Sequence, residues 1–502
     1  MGRAVSYLYL GYQLNYLSEL QQAAECLRIN DLLRAEQLYK QVLSCEPTNG
    51  HAYLGMGKIA LLAEQYDKAV LLLTKSCELL PDEVSPLLHL AEAFNGVFSE
   101  QDGLTVLEYT AKSFSNKPLV YYRLGLQYLI LGHLQKAESA FEKVLSLTNS
   151  EITSFAIFEL TRLGHHSTET FKLLAVRLQQ LGLTNDEKIV LHYAMGNVLD
   201  NQNDFNQAWS HFEQANLLQQ QNCQFKTQQL VPFFKQIKVY ASSQNLRMQR
   251  GILEQESANS VTPIFILGLP RTGSTLLEFL LTQHPDIASA GEVNYFSKDV
   301  DDFIFSKLGV RYPQSLSVSS DAIMQQAAAL YLEKLALHAN GKPYVIDKLP
   351  ANFQSIGLIY KLFPHAKVLH IKRDLAAVAL SIFRNNFAQN EPYFCSLNEF
   401  QEYHSLYADL MTHWKTLCAN FIYEVSYEQL ILDKTSTIKT LYKDLNISTT
   451  DKLACVKQQP AIKTLSNIQV NRPISTKSVE QWHNYRDFLT MFNDAKEATH
   501  AK

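Results

Sequence analysis

Pro263-Ile-Phe-Ile-Leu-Gly-Leu-Pro-Arg-Thr-Gly-Ser-Thr-Leu-Leu-Glu-Phe-Leu280 decides how the C-terminal half of this chain reads. An apolar run leads into a turn holding Gly268, Pro270 and Gly273, and an apolar run of helical period follows. Strand, glycine-rich turn and helix in that order make the setting of an anion-binding loop. Glycines let the backbone wrap the ligand, and the first N–H groups of the helix point at it with the helix dipole behind them. The segment comes close to the nucleotide-loop pattern G-x-x-x-x-G-K-[ST], except that Ser274 stands where the lysine would be. Without that lysine a triphosphate lacks its main counter-charge, which argues against a P-loop kinase or NTPase. The positive charge sits inside the loop instead, at Arg271, and suits a compact anion on the 5′ side of a nucleotide.

From Pro263 onward, short apolar strands alternate with helices, which predicts an α/β domain built on a parallel sheet. Two further strand ends carry chemistry. Lys-Val-Leu-His370-Ile-Lys372-Arg373-Asp374 ends a strand in basic residues and opens a helix. Arg373 at the strand end and Ser381 two turns into that helix are placed to bracket one anion, while Asp374 reads as the helix cap. Tyr344-Val-Ile-Asp347-Lys348 ends a second strand just before Pro350, at the edge where ligands of parallel sheets bind. Asp347 as a magnesium-holding carboxylate is the minor reading, again because of Ser274. Glu292 follows Gly291 and reads on its own as a helix-start acid. Tyr427 reads on its own as a strand-end core tyrosine.

Upstream, small residues repeat. Gly57 and Gly125 lie 68 residues apart, Ala35 and Ala69 lie 34 apart, and so do Pro47 and Pro81. Gly57–Ala69, Gly125–Ala137 and Gly196–Ala208 are each separated by twelve positions. That is the tetratricopeptide (TPR) period, and it predicts about five to six antiparallel helix pairs stacked as an α-solenoid. The small residues let paired helices approach, and Phe141 and Phe212 fill the seam. The stretch near 83–115 keeps the period with Gly103 in place of Ala, and 148–185 is helical but degenerate. Two readings of the array stand side by side: binding of a protein or peptide on its concave face, or packing and homodimerisation. The expected division is 1–216 for the repeats, 217–262 for a helical connector with a short apolar helix near Val231–Val239, 263–490 for the catalytic domain and 491–502 for a tail.

Net charge of −4 and a pI near 6.4 give no sign of a nucleic-acid or membrane-surface binder. Seven scattered cysteines without a C-x-x-C pair argue against a zinc site and a disulfide framework, and point to a cytoplasmic setting. The N-terminal run is too polar for a signal peptide or a membrane span.

Pro270-Arg271-Thr272-Gly273-Ser274-Thr275 resembles the 5′-phosphosulfate loop of sulfotransferases, and the chain as a whole is similar to bacterial TPR-repeat proteins of the tyrosylprotein sulfotransferase-like family. The resemblance implies a sulfotransferase that takes 3′-phosphoadenosine 5′-phosphosulfate (PAPS) as cosubstrate, needs no metal, and sulfates a hydroxyl acceptor, with protein or peptide tyrosine among the candidates. It implies that Arg271, Thr272, Gly273, Ser274 and Thr275 cradle the 5′-phosphosulfate, and that Arg373 and Ser381 hold the 3′-phosphate. Glu292 would be the general base, with Lys348 and Arg271 stabilising the group in transfer. Tyr427, Lys477 and Ser478 would complete the cofactor site. The chain departs from the family at Leu375, where proline is common. It departs again at Asn385, where a further arginine is expected but Arg384 falls one residue early, and at Glu480-Gln481 before Trp482. A non-catalytic TPR scaffold with a nucleotide-binding sulfotransferase-like domain is the alternative.

Overall fold

The computed structural model describes residues 17–246, 261–318, 320–387, 391–448, 468 and 476–492. The chain forms two compact units that divide between Leu163 and Gly164.

The first unit is helical. Gly50–Leu62 pairs with Tyr66–Leu79, Val84–Gly96 with Glu100–Ser113, and Pro118–Ile130 with Leu134–Leu147. The repeated small residues sit where the pairs close. Ala35, Ala69 and Ala137 are fully buried. A Cβ on Gly57 would lie 2.6 Å from Leu73, and one on Gly125 would lie 2.5 Å from Phe141. Glycine is therefore what allows the larger residue of the partner helix into the seam. Caps agree with the boundaries: the Asp31 and Asn49 side chains accept from Arg34 N and Ala52 N.

The second unit begins with the helices Thr168–Leu178, Asn185–Asn201 and Phe205–Gln220, and then carries the sheet. Gly196 and Phe212 repeat the same close approach, at 2.3 Å to an added Cβ. The expected connector helix is present at Val231–Tyr240, while residues 247–260 lie outside the described set.

The sheet has five parallel strands: β1 Thr262–Gly268, β2 Ile287–Gly291, β3 Tyr344–Lys348, β4 Lys367–Lys372 and β5 Ile422–Ser426. Their order is β2-β3-β1-β4-β5. β1 is central, and Pro263–Gly268 are all buried, as a strand covered on both faces requires. The chain leaves β1 toward β2 on one side and leaves β4 toward β5 on the other. The crevice beyond the carboxyl ends of β1 and β4 is thus a topological switch point, where open α/β sheets bind ligands. Among the described residues no helix is long and apolar enough to cross a membrane.

Candidate active site

The loop after β1 is held by backbone conformations that few residues accept. Arg271 has φ of 67° and Gly273 of 99°. The first is the left-handed region, a cost of about 1 kcal/mol for a side-chain-bearing residue. Thr272, itself buried, donates from Oγ1 to Leu269 O at 2.7 Å and so closes the turn from within. Gly273 then caps the helix Ser274–Leu281 without a side chain to compete for its first N–H groups. A Cβ there would lie 2.3 Å from the Tyr427 ring. Ser274 and Thr275, both buried, form the first turn.

Residues far apart in sequence converge on this loop. Arg271 Nε donates to Ser381 Oγ at 3.0 Å, linking the β1 loop to the helix Leu375–Phe383 after β4. Arg373 donates through Nη1 to Arg271 O at 3.0 Å and through Nη2 to Ser478 O at 2.6 Å. Its guanidinium lies 4.4 Å from the centre of the Tyr427 ring, and Tyr427 Oη donates to Ser478 Oγ at 2.9 Å. Burial pulls the Arg373 pKa below its ordinary value, against the favourable charges of Tyr427, Glu428 and Asp374. Arg373 Nε is buried with no partner among the described residues. Asp374 caps its helix as expected, accepting from Ala376 N and Ala377 N. Glu428 accepts from Asp374 N at 2.9 Å and ties the end of β5 to that helix start.

The second cluster lies at the ends of β2 and β3. Lys348 is buried, and its Nζ donates to Glu292 Oε1 at 2.5 Å. A second carboxylate, Glu278 of the helix Ser274–Leu281, stands 3.6 Å away. Ser289 Oγ donates to Glu278 Oε1 at 2.5 Å and accepts from Gly291 N at 3.0 Å, so Glu278 also braces the turn that presents Glu292. Burial alone would depress the lysine's pKa, but the Glu278 and Glu292 carboxylates outweigh it and the net shift is upward. Glu278 is raised, first by burial and partly offset by Lys348. Neighbouring Asp347 is fully buried, accepting from Tyr331 Oη at 2.7 Å and Asn352 Nδ2 at 2.9 Å; burial pushes it up to about 7. Both its oxygens are engaged by core residues.

The structure thus brings Arg271, Arg373, Ser381, Tyr427 and Ser478 together, and separately pairs Glu292 with Lys348. The Lys477 side chain and residues 471–475 lie outside the described set. Arg384 is not free for a ligand: its Nη2 donates to Asp200 Oδ2 at 2.8 Å, while Asn385 Nδ2 donates to Ser381 O at 2.8 Å. His413 and Trp414 are packing residues, bonded to Ala241 O and Phe353 O. Glu278 and Ser289 escaped the sequence reading; the available signal was one acid inside Leu-Leu-Glu278-Phe-Leu, where every neighbour is apolar.

Two arginines and three hydroxyl side chains, Arg271, Arg373, Ser381, Tyr427 and Ser478, are side chains of the kind that could hold an anionic ligand. Gly273 lets the Tyr427 ring pack against the loop where a Cβ would clash, and Arg373 Nε is a buried donor with no partner among the described residues.

Residues 263–451 match the sulfotransferase family, and residues 119–151 match the tetratricopeptide repeat. An uncharacterized protein of Aquifex aeolicus is 26% identical over 371 residues, 72% of this chain and 48% of that protein. Protein-tyrosine sulfotransferase 1 of Danio rerio is 27% identical over 243 residues, 44% of this chain and 65% of its own. The chain therefore spans about half to two thirds of these relatives' lengths. A TPR protein of Thermus thermophilus is similar over 36% of this chain and 98% of its own, at 18% identity and a TM-score of 0.32.

Proposed function

We propose that this chain, which carries a sulfotransferase-family domain at residues 263–451 behind tetratricopeptide repeats, is a PAPS-dependent sulfotransferase acting on a hydroxyl. The observation that carries the reading is the contact of Arg271 with Ser381 at 3.0 Å, with Arg373 reaching back to the Arg271 carbonyl. The loop after β1 and the Arg373–Ser381 segment, whose pattern is weak alone and gains weight after such a loop, meet at the switch point of the sheet.

PAPS, when bound, would supply the sulfuryl group, which exchanges its bond to the 5′-phosphate oxygen for one to the acceptor oxygen and leaves 3′-phosphoadenosine 5′-phosphate. Arg271 and the first turn Ser274–Thr275 hold the 5′ end, with the helix dipole behind them. Arg373 and Ser381 hold the 3′-phosphate, and Tyr427 and Ser478 close that side, with Lys477 beside them in sequence. Glu292, 38% exposed at its side chain, is the group of the second cluster that an incoming hydroxyl reaches, and it takes the acceptor's proton. Lys348, held cationic between two carboxylates, stabilises negative charge developing on the transferred group. The position of both on ordered strand ends keeps their geometry set before the acceptor arrives.

The acceptor we propose is a tyrosine of a protein or peptide engaged by the repeat array. Support comes from the repeats, whose stacked helices make extended binding surfaces, and from the tyrosine-sulfotransferase relatives. The test is transfer of labelled sulfate from PAPS to a protein extract, read by mass spectrometry, with Glu292→Ala as control. Label on tyrosine that vanishes in the variant supports the reading. No transfer to peptides, phenols or sugars leaves the scaffold alternative standing instead.

A further inference from the structure

Asp200, near the end of the helix Asn185–Asn201, is a carboxylate 9% exposed that no part of the catalytic reading uses. Three donors converge on it. Arg384 Nη2 reaches Oδ2 at 2.8 Å, Gln481 Nε2 reaches the same oxygen at 3.0 Å, and Tyr485 Oη reaches Oδ1 at 2.6 Å. Arg384 lies three residues past Ser381, and Gln481 lies three past Ser478. One carboxylate therefore fastens the two segments that supply Ser381 and Ser478. A second contact joins the same partners: Trp209, on the neighbouring helix Phe205–Gln220, is stacked on Phe383 at 4.7 Å and on Phe488 at 4.7 Å. Asn216 Nδ2 adds a bond to Phe383 O at 2.6 Å.

We infer that Asp200 is a positioning residue for the nucleotide site: it holds the C-terminal segment against the helix after β4, so that Ser478 stays on Arg373 and Tyr427 while Ser381 stays on Arg271. The inference rests on the nucleotide reading of that site. It also gives this last helix pair, similar in sequence to the repeats, a task inside the catalytic unit. The charge matters as much as the shape, because Arg384 needs a counter-ion where it is largely buried, whereas Gln481 and Tyr485 need only an acceptor.

The experiment measures binding of 3′-phosphoadenosine 5′-phosphate (PAP) to the full chain by calorimetry, with thermal unfolding in parallel. The variants are Asp200→Ala, Asp200→Asn and Tyr485→Phe. Loss of three bonds to a charged group weakens PAP by about tenfold or more in Asp200→Ala, and loss of one weakens it by about threefold in Tyr485→Phe. Asp200→Asn, which keeps an acceptor and lacks the charge, falls between. A merely structural role lowers the melting temperature of all three and leaves the PAP dissociation constant of the folded protein unchanged; that result overturns the inference. If Asp200→Ala does not fold, unchanged PAP binding in Asp200→Asn and Tyr485→Phe overturns it equally. Wild-type protein that binds no PAP overturns the nucleotide reading itself, a failure distinct from unchanged variants of a PAP-binding wild type.

Discussion

Replacing Glu278 with glutamine isolates the electrostatics of the Lys348 cluster. The substitution keeps the size and a carbonyl acceptor for Ser289, and removes one negative charge 3.6 Å from the lysine Nζ. At that distance and an effective dielectric constant of about 20, the attraction is at most about 5 kcal/mol. Desolvation of both groups offsets much of it, and Glu292 stays in place at 2.5 Å. The Lys348 pKa is therefore expected to fall from its raised value, because one of the two carboxylates that hold it up is gone. The cost in stability at neutral pH is smaller than for an isolated buried pair, about 1–2 kcal/mol, because the change also removes a carboxylate that burial disfavours and that repels Glu292. The sign in pH follows from the raised lysine. Its contribution is complete below the ordinary value of 10.5 and is lost as pH rises through its higher folded value. In Glu278→Gln the folded value drops, so alkaline unfolding begins at lower pH. The alkaline limb of the pH–rate profile moves the same way, since transfer needs the protonated lysine. Unfolding midpoints measured from pH 7 to 11, together with rate profiles over that range, test this. Curves that superimpose on wild type refute the claim that Glu278 sets the charge state of Lys348.

Gly273→Ala places a methyl 2.3 Å from the Tyr427 ring at a φ of 99°, and is expected to destabilise by about 3 kcal/mol or more and to abolish PAP binding, read by denaturant unfolding and calorimetry. Arg373→Met leaves Arg271 O and Ser478 O without their donor and weakens PAP by about a hundredfold, with a smaller effect on melting temperature. Asp347 is raised to about 7 from 3.8, so its contribution is full below the lower value and lost as pH rises through the upper one. Asp347→Asn therefore flattens the decline in stability between those values, measured by denaturant midpoints across the range. In the repeats, Gly125→Ala drives a methyl to 2.5 Å from the Phe141 ring and costs about 1–3 kcal/mol by thermal unfolding, whatever happens at the active site.

Local patterns were legible in the sequence because their physics is local. The β1 loop announces itself through glycines and an arginine between a strand and a helix, and Asp374 announces a cap. The Gly–Ala spacing of twelve reports how closely two helices approach. It does not report what the pair packs on: Gly196 and Ala208 keep the spacing, yet their helices belong to the unit that holds the sheet. The contacts missed are those between segments distant in sequence. Asp200 looks like any acid near a helix end until Arg384, Gln481 and Tyr485 are brought to it. Arg384, one residue from the place where a ligand-binding arginine is expected, is engaged by that carboxylate. Glu278 was hidden differently, since an acid in an apolar helix signals a buried partner without naming Lys348.

The central claim is that the loop after β1 and the helix after β4 form one site for a nucleotide with an anion at both ends of its ribose. Calorimetric titration of the full chain with PAP and, separately, with ATP and magnesium tests it most directly. The account predicts PAP binding without added metal, lost in Arg271→Ala and weakened about a hundredfold in Arg373→Met, and no comparable binding of ATP. Binding of magnesium-ATP with none of PAP would contradict it.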